Sequence, residues 1–249
     1  GVDAKAQRAG RTTDNRTIYY MQAVAGTPTL RPFTYTQLTT DGRQAAFDSF
    51  CTQAVVPAQC AGLSAANRTL ANNGANLVAW LRGASTYETT NTTAPLYRAR
   101  RTALGDIIGA TPVFLSRPPF NYADPGYAAF KAAQASRKRV VYVAANDGML
   151  HAFSANGDGV GDDAGTELWA FVPSAVMSKL YRLADSNYVN NHQYYVDATP
   201  AIGDVYANGR WRTILVGGLG AGGRAYYALD VTDPENPQAL WSSRTTTWG

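Results

Sequence analysis

Two stretches of this sequence repeat one another in order, and that repetition limits the fold more than any other feature. Residues 140–153 read as a strand, a tight turn and a second strand, and Glu167-Leu168-Trp169 opens a third. Residues 213–218, a glycine-rich turn, residues 225–230 and Ala239-Leu240-Trp241 replay that order. Upstream of each copy stands Ala-Thr-Pro, at Ala110-Thr111-Pro112 and at Ala198-Thr199-Pro200, each opening one further short strand. A four-strand unit that closes on Trp and recurs is the pattern of β-propeller blades, because each unit has an apolar face that a neighbouring unit must cover. A sandwich also supplies short strands, but without the same opening and closing in the same order.

The rest of the chain fits around these units. Residues 17–40 read as strands, with Ile18-Tyr19-Tyr20-Met21 and residues 30–35 rich in aromatic and β-branched side chains. From 41 to 83 the period lengthens to a helical insertion: Ser64 suits an N-cap, Leu63, Leu70, Leu77 and Leu81 recur at helical spacing, and Gly83 stands at the stop. Residues 84–95 are small or polar and read as an exposed loop. Asp124-Pro125 and Pro173-Ser174 each open a further short helix. The expected fold is mainly β, part of a propeller over residues 1–249, with blade-like repeats at 109–172 and 197–242.

Composition removes several function classes. Charged residues are 16% of the 249, too few for a disordered polyelectrolyte or a charge-laced coiled coil. The net charge of +4 is spread along the chain and gives no argument for nucleic acid. No apolar run reaches the ~18 residues of a membrane span. Cys51 and Cys60 are the only cysteines, and their even count and close spacing suit one local disulfide in an oxidising compartment, against the alternative of two buried thiols. The start at Gly1 and the end soon after Trp241 lead us to expect an open arc of blades rather than a closed ring, since closed propellers need at least ~4 blades.

One loop has the composition of a cation site. In residues 154–163, Ser154, Asn156, Asp158 and Asp162 place oxygens at alternate positions, the Val160 carbonyl falls between them, and interspersed glycines loosen the turn. Calcium takes about six to eight hard oxygens in this manner. Ser154 stands where an Asp is usual, and Asp163 is the candidate to restore its charge. The competing reading is a polar hairpin tip, for which Asn, Asp and Gly are ordinary residues. Residues 218–223 satisfy G-x-G-x-x-G, but the aromatic strand pattern that follows denies the motif the helix N-terminus a dinucleotide needs, so it reads as a tight turn. His151 and His192, the only imidazoles, have no metal-ligand spacing, and no nucleophile–base–acid set can be assembled. Asp106 and Asp197 read as turn or capping residues, and Trp169 and Trp241 as anchors of blade packing.

Several runs, in order, resemble the C-terminal domain of the PilY-type (PilC in some bacteria) type IV pilus assembly and tip-adhesin proteins. They are residues 76–83, Tyr97-Arg98-Ala99-Arg100 with Leu104-Gly105-Asp106-Ile107, residues 141–153 with 167–173, and Gly217-Gly218-Leu219-Gly220-Ala221-Gly222-Gly223 with residues 227–232. The resemblance implies a modified, quinoprotein-like β-propeller at the periplasm, outer membrane or cell surface, carried at the pilus tip. It implies pilin and minor pilin subunits and host or abiotic surfaces as partners, and no enzyme activity. It makes Arg98 and Arg100 structural or interfacial. Members of the family carry an Asp-rich calcium loop linked to pilus extension and retraction, in a later blade than residues 154–163. The integrin-binding Arg-Gly-Asp of some members is not matched, since Ala84 follows Arg82-Gly83. The rival of another class is a pyrroloquinoline-quinone dehydrogenase, whose propeller repeats a similar unit but needs a quinone pocket with calcium and a catalytic carboxylate.

Overall fold

The computed structural model describes residues 14–157 and 163–244. An N-terminal hairpin comes first, β1 (Ile18–Val24) and β2 (Thr27–Pro32), paired antiparallel. Three short helices follow: α1 (Tyr35–Thr40), α2 (Ala65–Ala71) and α3 (Gly74–Leu81). Then come β3 (Val113–Leu115), α4 (Tyr127–Ala133), β4 (Val140–Ala145), β5 (Met149–Ser154) and β6 (Glu167–Val172). The last four strands are β7 (Ala201–Ala207), β8 (Arg210–Gly218), β9 (Ala225–Asp230) and β10 (Gln238–Arg244).

The strands form two antiparallel meanders, β3-β4-β5-β6 and β7-β8-β9-β10. Their register repeats: Ala152 lies opposite Trp169 in the first and Ala228 opposite Trp241 in the second, and each outer pairing carries a register shift beside that point. His151 and Tyr227 therefore occupy equivalent positions, as do Ser154 and Asp230. The β7–β8 turn is Asn208-Gly209, with φ of 52° and 77° at the two residues. Two successive positive φ values match the strand twist, and Asn-Gly is the pair that accepts them most readily.

The first meander is extended by the N-terminal hairpin. β1 runs parallel to β6, with Ile18 beside Ala170 and Tyr20 beside Val172, giving the order β2-β1-β6-β5-β4-β3. Ile18 and Tyr20 are buried. The hairpin thus covers an outer strand edge that would otherwise offer unpaired backbone, and β2, the new edge, is blunted by Pro28 and Pro32.

The helical insertion differs from the sequence expectation in two places. Residues 35–40, expected as strand, form α1, because the Thr34 hydroxyl accepts a hydrogen bond from Gln37 N at 3.3 Å and caps a helix there. The helical run from Ser64 to Leu81 is two helices. Ser64 caps α2, and Asn73 caps α3 by accepting from Ala75 N at 3.1 Å, which restarts the chain in a new direction. α3 turns Leu77, Val78, Trp80 and Leu81 into the core. Near Asp124-Pro125 the helix starts only after Gly126, which holds φ 82°, and Asp124 contributes its carbonyl to Tyr127 N rather than a side-chain cap.

Cys51 and Cys60 are joined in a disulfide that links two short 3-10 turns at the base of the insertion. Closing so short a loop removes unfolded-chain entropy worth roughly 2–3 kcal/mol. Chemical denaturation with and without reductant is expected to show a loss of about that size, and a Cys51→Ser/Cys60→Ser double variant should lose the same amount and become insensitive to reductant.

Candidate functional site

The two meanders meet face to face, and the seam is built around Trp169. Its indole is 1% exposed, packs on Tyr142 at 5.6 Å between ring centroids, and donates from Nε1 to Pro234 O at 2.8 Å in the β9–β10 turn. Phe171, two residues along β6, meets Tyr227 of β9 at 4.9 Å between ring centroids. The Trp169 indole thus reaches from its own sheet to the neighbouring one and satisfies its N–H there. Trp241, at the equivalent place in the second meander, is 44% exposed. It does not act as a packing anchor among the described residues, because nearly half of its side chain is open to solvent.

The candidate calcium loop joins this seam. Ser154 ends β5 with its hydroxyl donating to the Asp163 carboxylate, and it also accepts from Asn156 N at 3.3 Å. The Asn156 side-chain oxygen accepts from Arg139 N at 3.2 Å. Lys138 bridges the loop to the second meander, with Nζ 2.5 Å from Asp163 and 3.3 Å from Glu235. Burial pushes the Asp163 carboxyl up, but the Lys138 ammonium and the Ser154 hydroxyl outweigh it and hold the group below its ordinary value. Asp158, Val160 and Asp162, the other proposed ligands, lie outside the described residues, and among the described residues no group of three or more His, Cys, Asp and Glu is placed to hold a metal. Lys138, which sequence reading passed over, ties the loop across the seam; its one signal was rarity, for this chain has only Lys5, Lys131, Lys138 and Lys179.

On the opposite face of the first meander lies a buried charge network. Arg16 grips Glu167 with both Nε and Nη2, at 2.6 and 2.9 Å. His151, fully buried, sits between two carboxylates: Nδ1 is 2.7 Å from Glu167 and Nε2 is 3.1 Å from Asp147. Burial lowers the imidazole pKa, but Asp147 and Glu167 more than offset this and raise it above 6.5. For Glu167 burial acts upward, and His151 and Arg16 prevail to depress it strongly. Arg16 is held in turn by the Arg82 carbonyl at 2.9 Å, while Arg82 pairs with Asp14. This network fixes the N-terminal segment on the first sheet. Residues so far apart in the chain gave no sequence signal of it.

The remaining candidates have structural roles. Asp197 accepts from Gly109 N at 2.9 Å and Asp106 accepts from Asn146 Nδ2 at 2.9 Å, so both brace turns beside the β4–β5 connection. His192 pairs with Asp106 at 3.0 Å. The G-x-G-x-x-G segment is a turn running directly into β9, and at Gly222 a Cβ would lie 1.8 Å from the Tyr195 carbonyl oxygen, so close backbone approach explains the glycine.

Meanders of four antiparallel strands, repeated in register and stacked through a Trp on the outer strand, define a β-propeller protein, and the helices inserted between its strands are short. The family model described as the PilY1 beta-propeller domain matches residues 104–245. The chain belongs to that family. It is 41% identical over 176 residues to the type IV pilus biogenesis factor PilY1 of Pseudomonas aeruginosa strain PAK, covering 68% of this chain and 14% of that protein. It is 43% identical over 188 residues to a type IV pilus biogenesis factor PilY1 homolog of Xylella fastidiosa, covering 72% of this chain and 14% of the relative. The chain therefore spans about a seventh of the length of these relatives. The crystal structure of the P. aeruginosa PilY1 C-terminal domain is 37% identical, covers 53% of this chain and 25% of that one, and superposes with a TM-score of 0.41. Among the described residues no helix is long and apolar enough to cross a membrane.

Proposed function

We propose that this chain supplies consecutive blades of a type IV pilus biogenesis factor that acts outside the inner membrane, at the pilus tip, in pilus assembly, twitching motility and attachment to host or abiotic surfaces. The observation that carries this reading is the coincidence of the family match with the two stacked meanders, at over 40% identity to relatives named for pilus biogenesis. Its work is binding, to pilin and minor pilin subunits, rather than catalysis. The disulfide agrees with an oxidising compartment.

The test is a chimera. In a P. aeruginosa strain lacking PilY1, the relative's own segment is replaced by residues 104–244 of this chain, and sheared surface pilin and twitching zones are measured. Restoration of both is expected; a stable, secreted chimera that leaves the cells without pili overturns the proposal. Turnover of an alcohol by the chain loaded with the quinone cofactor would shift the reading to the dehydrogenase class.

We assign the 154–163 loop to calcium in the same protein, supported by its alternating oxygens and by the carboxylate of Asp163 at its end. Calorimetric titration with calcium is expected to give heat in the wild type and none in Asp158→Ala. Equal heat in both, or none in the wild type, removes the site.

A further inference from the structure

A cavity of about 440 Å³ opens where α3, residues 98–106 and the β4–β5 turn meet. Its size is that of a small-ligand site, and its walls combine Trp80, Leu183 and Tyr188 with charged groups of both signs. Three of the five charges are already answered within the fold. Arg100 pairs with Glu88 at 2.9 Å and lies 3.7 Å over the Trp80 ring. Asp106 is held by His192 and Asn146, and Asp147 accepts from Gly105 N at 3.1 Å and meets His151 at 3.1 Å.

The other two charges, both cations, form no ion pair among the described residues. Arg98 donates from Nε to Leu183 O at 2.9 Å, with its guanidinium carbon 4.6 Å over Tyr188 and 5.9 Å from Trp80, and it forms no ion pair among the described residues. Burial lowers its pKa and outweighs the opposing pull of Tyr188, Glu88 and Asp106, none of which pairs with it directly. Arg101 is exposed at the rim and makes neither an ion pair nor a hydrogen bond among the described residues. Ring contacts fix the plane of the Arg98 guanidinium, and its Nη groups donate to no described acceptor. A preset planar fork of this kind matches a carboxylate or a phosphate. Asp106 and Asp147 in the same cavity would repel a phosphate dianion, which leaves a singly charged carboxylate as the better fit. Trp80, Leu183 and Tyr188 then cover an apolar body.

We propose that this cavity binds a monocarboxylate with an apolar body, its carboxylate held by Arg98 and Arg101 and its body against Trp80 and Tyr188, independently of the pilus assignment. The carboxylate is that of a free acid or of the C-terminal residue of a polypeptide.

Ligand-observed NMR and calorimetry on the whole chain, with N-acetyl-leucine, N-acetyl-leucinamide, inorganic phosphate and a hexapeptide ending in a free leucine carboxylate, test this. The acid is expected to bind about tenfold more tightly than its amide, the size of one lost charge-assisted pair. Arg101→Gln, at an exposed position where folding is not at stake, should remove that preference while leaving the amide unchanged, and Arg101→Lys should keep part of it. A hexapeptide that outbinds the free acid assigns a chain terminus, and equal affinities assign a free acid. Equal binding of acid and amide, tighter binding of phosphate, a preference that survives Arg101→Gln, or no binding of any probe at millimolar concentration overturns the proposal.

Discussion

Glu167→Ala is expected to lower the unfolding free energy by about 3–5 kcal/mol, the cost of leaving buried charge uncompensated. The side chain of Glu167 is 1% exposed and that of Arg16 is 6% exposed. Removing the carboxylate strands the Arg16 guanidinium on the sheet face, where water does not reach it, and leaves His151 with Asp147 alone. Urea denaturation measures the loss. An Arg16→Met/Glu167→Leu double variant should recover much of it, because replacing both partners of a buried pair by apolar groups is often near neutral. A loss under ~1 kcal/mol in the single variant would place the pair in effective contact with solvent.

The same network gives stability a pH profile. His151 titrates above 6.5 when folded, so its contribution is complete below about 6.5 and is lost as pH rises through the folded value. Glu167 is depressed from 4.5, so its contribution is complete above that value and is lost as pH falls through the folded one. The difference in stability between wild type and Glu167→Ala should therefore be largest between about pH 4.5 and 6.5 and decline on both sides. A difference that stays flat as pH rises above 6.5 would mean that His151 is neutral in the fold.

Trp169→Ala is the second large effect, expected to cost about 4 kcal/mol through a cavity at the seam and the loss of the hydrogen bond to Pro234. Trp241→Ala, the same substitution at the repeat-equivalent position, should cost under ~1 kcal/mol, because its side chain is already 44% exposed. Repeat position alone would forecast equal losses. The contrast follows from what covers each indole, and equal losses measured by denaturation would refute the seam as described.

Much of the architecture was legible because blade strands carry local signals. The short, nearly continuous apolar runs of β4, β5 and β9, the Asn-Gly turn at 208–209 and the glycine-rich turn before β9 all act within a few residues. The parallel pairing of β1 with β6 was not legible. It joins Ile18 to Ala170, and pairing across such a separation leaves no periodicity at either end. Residues 35–40 misled because a one-turn cap at Thr34 outweighed the strand propensity of its neighbours. At the functional level, the 154–163 loop offered composition only, and its tie to Lys138 and Glu235 depends on the docking of the second meander. Arg98 and Arg101 stand three positions apart in the sequence, but that neither forms an ion pair among the described residues is a property of the fold.

Stacking of the two meanders as successive blades is the claim on which the rest depends, and amide hydrogen exchange followed by mass spectrometry tests it most directly. In the wild type, peptides from β5 and β9 are expected to exchange with the same opening free energy, as one cooperative unit. In Trp169→Ala, β9 should exchange about a hundredfold faster than β5, because the seam no longer couples them. If β5 and β9 already open independently in the wild type, or if Trp169→Ala leaves their exchange unchanged, the two sheets are not stacked through Trp169.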